Sequence, residues 1–284
     1  MKDLVIRSYA KINICLNVTN RRQDGFHDLD MVMVPIELHD SILMSEVKNT
    51  DDNFVTIDDF SGENVRHNIA SSALNLIQKN YNIKKKFRVF IHKVIPMQAG
   101  LGGGSSNAAF VLKGVNNYLN LKISEQELIN LAKELGSDVP FFIPCKPARC
   151  HGTGGEFEPI VIKNNYNVLI VKPKEGCSTR DVFELSDTMT LATGNVDDVV
   201  KALADGDEKL LAKSIVNSLE EPASRLVPEI KVIKKKLSDF GLEIVAMSGS
   251  GSSIFALSTN LSLLKNIARK LEDDYVVEVT KIIK

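Results

Sequence analysis

The sequence predicts an α+β protein of two domains, the first over residues 1–158 and the second over 159–284. Three observations carry that prediction. In the first half, short strand-like runs lead into a strand, a glycine cluster and a helix across residues 87–119. Near 155–165 the texture changes, and strand-like EPIVI and YNVLIVKP give way to a helical stretch over about 179–239. The chain then closes on strand, turn, helix and strand: EIVAMSGSGSSIFALS, LSLLKNIARKLED and YVVEVTKIIK. No internal repeat or low-complexity linker parts the halves, so closely packed domains are expected.

The elements follow in order. KINICLNV (11–18) alternates, with Ile12, Ile14, Leu16 and Val18 on one face and Lys11, Asn13, Cys15 and Asn17 on the other. That is the pattern of a half-buried strand. RRQDG (21–25) reads as a turn, and MVMVPIEL (31–38), SILMSEV (41–47) and FVTID (54–58) read as strands. A helix is expected over 64–79, and then FRVFIHKVI (87–95) as a strand running into the glycines. Ala108 to Leu119 has helical spacing, with Val111, Leu112, Val115 and Leu119 on one side. Ser124 and Glu127 form a capping box that opens the next helix, which Gly136 is expected to end. SDVPFFIPC follows, and HGTGG (151–155) reads as a turn.

Composition narrows the class. Apolar residues make up 44% and charged ones 25%, an ordinary globular balance, and 284 residues suffice for a sizeable core. The formal net charge of −1 offers nothing to nucleic acid, and the densest basic run, Lys234-Lys235-Lys236, reads as a solvated helix face. The segment MKDLVIRSYAKINICLNV has no continuous apolar core of the signal-peptide kind, and no apolar run reaches the ~18 residues of a membrane span. A cytoplasmic protein is expected. Cys15, Cys145, Cys150 and Cys177 are scattered, and in CKPARCH four residues rather than two separate the cysteines. Neither haem attachment nor a zinc set is indicated, and the cysteines read as structural.

PMQAGLGGGSSNAA (96–109) carries the clearest chemistry. Four glycines fall within positions 100–104, between a strand and a helix. Glycines let backbone come close to a ligand, and a helix N-terminus offers unpaired N–H groups and a dipole that favours an anion. Ser105 and Ser106 stand where they can cap the helix, or meet a phosphate or its metal. The P-loop is excluded because no lysine follows the glycines, and the dinucleotide fingerprint fails at Ser105. Asp239-Phe240-Gly241 lacks the rest of the protein-kinase signature and is coincidental. Read alone, each feature keeps a plainer alternative: a tight packing turn for the glycines and for MSGSGSS (247–253), a turn-capping residue for Asp138, a snorkelling strand-end lysine for Lys11, a structural loop histidine for His27.

Taken together, SYAKINICLNV (8–18), PMQAGLGGGSSNAA and MSGSGSSIFAL (247–257) resemble the GHMP superfamily of small-molecule kinases. DGFHDL (24–29), LGSDVPFF (135–142) and NSLEEPA (217–223) make the likeness strongest to its branch that phosphorylates a cytidine-diphosphate-linked methylerythritol, a step of the non-mevalonate isoprenoid route. The blocks run in order from about residue 8 to 257. The resemblance implies a ribosomal-protein-S5-like ATP-binding domain followed by a ferredoxin-like α/β sandwich, and transfer of the γ-phosphoryl group of ATP, with Mg2+, to the C2 hydroxyl. It assigns Asp138 as general base and Lys11 as the residue that holds Asp138 ionised and stabilises charge on the transferred group. It assigns nucleotide binding to Pro96, Met97, Gln98, Ala99, Gly100, Leu101, Gly102, Gly103, Gly104, Ser105 and Ser106. It assigns the acceptor substrate to Asn13, Phe26, His27, Lys93, Phe183, Gly249 and Ser250, with the base edge read at His27.

Three departures stand out. Gln98 and Ala99 replace frequent glycines, Phe26 replaces a frequent tyrosine, and HGTGGE (151–156) is looser than the usual pattern. No residue is a secure Mg2+ ligand, Ser106 being the weak candidate. A kinase of the same superfamily with homoserine or a mevalonate as acceptor should lack DGFHDL, and a non-catalytic binding relative has no evident need for both Lys11 and Asp138. No nucleic-acid or membrane partner is expected, and the chain is expected to be a monomer or homodimer.

Overall fold

The alternation at 11–18 belongs to a longer strand, β1 (Leu4–Arg21), in a computed structural model that describes residues 3–58 and 68–284. The expected half-burial is corrected: residues 11–17 are buried on both faces, because the polar face meets hydrogen-bonding partners instead of water. The two strands expected over 31–47 are one 21-residue strand, β2 (His27–Val47). Its two ends pair with different strands, through Leu29–Met33 and through Ser41–Val47, and Pro35 falls between those stretches. The chain forms two compact units, one of residues 1–10, 38–96 and 102–145, the other of 11–37, 97–101 and 146–284. β1 and β2 contribute residues to both.

In the first unit β3 (Phe54–Asp58) runs parallel to β4 (Lys86–His92), which is antiparallel to Ser41–Val47 of β2. On β4, Phe87, Val89 and Ile91 are buried and their neighbours are not, as period-two patterning requires. The helix expected over 64–79 is α1 (Ile69–Asn80), opened by an Asn68–Ser71 capping box; positions 64–67 lie outside the described residues. α2 (Gly103–Leu119) begins five residues earlier than its apolar spacing suggested, so the last glycines of the cluster form its first turn. It packs closely on β1, where a Cβ at Gly114 would come within 2.6 Å of Ile6 Cδ1. α3 (Glu125–Lys133) has the expected Ser124–Glu127 capping box. It ends before Gly136, which instead opens the following turn, its carbonyl accepting from Val139 N at 3.3 Å. A 3-10 turn over Pro140–Phe142 follows, buried throughout.

In the second unit β5 (Ala148–Gly152) lies between Leu29–Met33 of β2 and β6 (Glu156–Pro159), both antiparallel to it. The HGTGG turn joins β5 to β6 as expected. The helical stretch contains α4 (Thr179–Ser186), α5 (Val196–Asp205), α6 (Glu208–Ser214), α7 (Glu220–Leu226) and α8 (Glu229–Asp239). A four-stranded antiparallel sheet gathers β7 (Asn167–Lys172), β8 (Ile244–Met247), β9 (Ile254–Ser258) and β10 (Val276–Lys281) in the order β10-β7-β9-β8, with α9 (Leu261–Ala268) between the last two in sequence. β8 is buried throughout and β7 and β9 nearly so, the mark of a sheet covered on both faces. Lys234, Lys235 and Lys236 line the solvated side of α8, each with an acidic neighbour in reach. Cys15, Cys145 and Cys177 are free thiols. Among the described residues no helix is long and apolar enough to cross a membrane.

Candidate active site

Within the second unit, the polar face of β1 meets two loops. Lys11 and Asn13 are 3% and 1% exposed, and Lys11 Nζ donates to Asn13 Oδ1 at 2.5 Å. Asn13 Nδ2 points at Met31 Sδ at 3.1 Å, while Asn13 N donates to Ser248 Oγ at 3.2 Å. Ser248 Oγ passes the chain on by donating to Gly100 O at 2.9 Å, and Lys11 N donates to Leu101 O at 3.0 Å. The glycine segment 97–101 and the MSGSGSS turn are therefore tied to the strand that carries Lys11. Asn217 braces the turn from behind, its Nδ2 donating to Met247 O and Gly249 O, both at 2.8 Å.

Two glycines here are sterically required. A Cβ on Gly100 would lie 1.9 Å from Ser248 O, and φ is +72°. A Cβ on Gly249 would lie 3.0 Å from Gly100 O and 3.2 Å from Lys11 Nζ, at φ +57°. The lysine ammonium thus sits against bare backbone, the local geometry of a cradle for an oxyanion. Gln98 and Ala99 prove to be fasteners. Gln98, at φ +51°, accepts from Cys177 N at 3.2 Å and Ser252 N at 3.4 Å, and Ala99 O accepts from Ser253 N at 3.3 Å. Ser250 Oγ lies 2.9 Å from Thr179 Oγ1, and Met97 is exposed.

Also in this unit, Phe26 projects into solvent, 60% exposed. His27 turns inward, its Nε2 2.7 Å from Asp187 Oδ1, and its ring stacks on Phe183 with centroids 4.8 Å apart and planes at 25°. Arg21 Nη1 reaches the other carboxylate oxygen of Asp187 at 3.3 Å.

The first unit holds Pro96, Gly102 to Ser106, Lys93 and Asp138. α2 opens on Gly102 with no side-chain cap, whereas α1 and α3 each carry a full capping box. Among the described residues no side chain caps its first N–H groups, and at Gly104 the nearest obstacle to a Cβ is Ile69 Cγ2 at 3.7 Å. This fits a phosphate at the helix start. The capping role expected for Ser106 is corrected: its hydroxyl is fully buried and donates to Tyr9 O at 2.6 Å. Lys93 is likewise engaged in a buried network. Its Nζ donates to Asp40 Oδ2 at 2.5 Å and Asn107 Oδ1 at 3.2 Å. Asp40 Oδ1 accepts from Val94 N and Ile95 N, both at 2.8 Å, and Oδ2 also accepts from Asn107 Nδ2 at 2.9 Å. The network therefore links the exit of β4 to the first turns of α2. Asp138 is half-buried in the turn that precedes Pro140–Phe142.

Asp187, Asn217, Ser248 and Asp40 are absent from the sequence-based expectations. Ser248 lay inside a quoted motif and Asn217 opened another, while Asp40 and Asp187 carried no local signal. For Mg2+, the described residues offer no group of three His, Cys, Asp or Glu side chains able to hold a metal. With Ser106 committed to Tyr9, the described side chains alone do not make a Mg2+ site, and such an ion characteristically rides on substrate phosphates.

Two family matches cover much of this framework: GHMP kinases N terminal domain over residues 68–145 and GHMP kinases C terminal over 199–277. A 4-diphosphocytidyl-2-C-methyl-D-erythritol kinase of Alkaliphilus metalliredigens (strain QYMF) is 36% identical over 272 residues, 95% of this chain and 93% of that protein. The crystal structure of a 4-(cytidine 5'-diphospho)-2C-methyl-D-erythritol kinase superposes with a TM-score of 0.83 at 30% identity, over 99% of this chain and 100% of its own. A homoserine kinase from Cytophaga hutchinsonii ATCC 33406 superposes with a TM-score of 0.75 over 100% of this chain and 98% of its own, and at 19% identity that likeness concerns the fold alone.

Proposed function

The chain belongs to the GHMP kinases, among the 4-diphosphocytidyl-2-C-methyl-D-erythritol kinases, and from that membership we infer that it moves the γ-phosphoryl group of ATP to the C2 hydroxyl of that cytidyl substrate. It has the α+β fold of the GHMP kinases. The observation that carries the residue-level reading is the placement of the Lys11 ammonium against Gly249, on a strand pinned to both loops.

Phosphoryl transfer asks chiefly for positioning and charge stabilisation. Lys11 neutralises charge developing on the transferred group and the attacking oxygen. Asp138 accepts the hydroxyl proton. The uncapped start of α2, Gly103 to Ser105, donates to phosphate oxygens, and residues 97–101 hold that loop in shape through the backbone bonds of Gln98 and Ala99. Mg2+ supplies further neutralisation of phosphate charge when it accompanies the nucleotide. His27 contacts the edge of the cytosine, and Phe183 and Phe26 supply its flat surfaces. Lys93, with its ammonium held by Asp40, orders the backbone around Val94 and Ile95.

We read the chain as two family modules, 1–158 and 159–284, a division supported by the two family matches falling on either side of it. We place the protein in the cytoplasm, which suits the free thiols Cys15, Cys145 and Cys177. The test is a substrate panel. With MgATP, the full chain should phosphorylate 4-diphosphocytidyl-2-C-methyl-D-erythritol and leave homoserine and mevalonate untouched. Turnover of mevalonate at comparable efficiency would overturn the acceptor assignment.

A further inference from the structure

We propose that Asp187 sets the nucleobase selectivity of this enzyme by fixing His27 in one tautomer. The inference rests on the reading of His27 as the base-edge contact and adds the residue that decides what His27 can recognise.

A carboxylate can only accept hydrogen bonds, so the 2.7 Å contact from Asp187 Oδ1 requires the proton on Nε2 of His27. In the neutral imidazole the second nitrogen, Nδ1, is then an acceptor. Among the described residues Nδ1 has no hydrogen-bond partner. Ring rotation, which would exchange the nitrogens, is opposed from two sides: stacking on Phe183 holds the plane, and Asp187 holds the edge. Arg21 Nη1, 3.3 Å from Asp187 Oδ2, holds the second oxygen of the same carboxylate.

Asp187 is also out of place for a purely helical role. It is the C-cap of α4, where the helix dipole disfavours an acidic side chain. Its two partners, His27 and Arg21, lie some 160 residues earlier in the chain and supply the reason for an acid at that point.

An acceptor at Nδ1 distinguishes pyrimidines. At C4, cytosine carries an amine donor and uracil a carbonyl acceptor. The tautomer selected by Asp187 therefore pairs with cytosine and sets two lone pairs against each other with uracil. A site built to hydrogen-bond one group rejects the analogue that leaves it unpaired.

The experiment uses the full chain, with cytidine 5′-diphosphate and uridine 5′-diphosphate as competitive inhibitors against the cytidyl substrate. The wild type should bind the cytidine nucleotide about tenfold or more tightly than the uridine nucleotide. In Asp187→Asn, whose amide can donate to or accept from Nε2, that ratio should fall to within about threefold. Asp187→Ala should behave likewise. Long-range proton–nitrogen NMR on labelled protein should show His27 Nδ1 unprotonated in the wild type and mixed in Asp187→Asn. A wild-type ratio that persists in both variants, or a proton found on Nδ1, overturns the inference about Asp187. Equal binding of both nucleotides by the wild type and by His27→Ala instead removes the base-edge reading of His27, and this inference with it.

Discussion

Lys11 is 3% exposed, and a polar group so deeply buried needs organised partners. Those described around it are an asparagine oxygen at 2.5 Å and the bare backbone of the glycine loops. Lys11→Ala should therefore lower kcat by ~10²–10³, the scale seen when one preorganised charge-stabilising donor is removed. An effect confined to KM for ATP would mean that Lys11 serves ground-state binding instead. Asp138→Asn should lower kcat by ~10² or more, and a variant keeping most of its turnover would end the general-base assignment. Gly100 is the steric counterpart. A Cβ there meets Ser248 O at 1.9 Å, so Gly100→Ala should destabilise the fold by ~3 kcal/mol or more in urea unfolding. An unchanged unfolding midpoint would show that the two loops can separate freely.

At the scale of elements, the helix starts divide by task. α3 opens on Ser124, whose hydroxyl and Glu127 close a reciprocal cap, and Ser124→Ala should cost about 1 kcal/mol of stability by thermal or urea unfolding. α2, at 17 residues almost twice as long, opens on Gly102 with no side-chain cap hydrogen bond. Local pattern made β1, β4, the α3 cap and the closing strand–helix–strand legible, because alternation and capping chemistry are written within a few residues. The continuity of β2 was not legible, since it depends on two partners found at 86–92 and 148–152. Lys11 and the glycines stood out in the sequence through residue type and spacing. Asp40 and Asp187 did not, because each gains its meaning from partners 53 and 160 residues away.

For the molecule as a whole, the buried thiols predict a weakness at high pH. Burial pushes Cys15 up to about 12, and pushes Cys145 and Cys177 up to about 11, from an ordinary value of 9.0. The folded chain thus keeps protons that the unfolded chain releases. The sign is definite: this contribution is intact below about pH 9 and is lost as pH rises through 11 to 12. Each such thiol steepens the loss by about 1.4 kcal/mol per pH unit within its window. Urea midpoints should fall between pH 8 and 10.5, and Cys15→Ala should show a shallower decline. A decline of equal slope in that variant would clear Cys15 of any part in it.

The bond between Asn13 N and Ser248 Oγ spans 235 residues. During synthesis Asn13 leaves the ribosome long before Ser248 exists. At ordinary elongation rates the wait is roughly 10–50 s, many times longer than a helix or hairpin takes to form. The lysine strand is thus made long before its bond to Ser248 can form, and a nascent chain halted before residue 248 should remain open to proteases along residues 11–18.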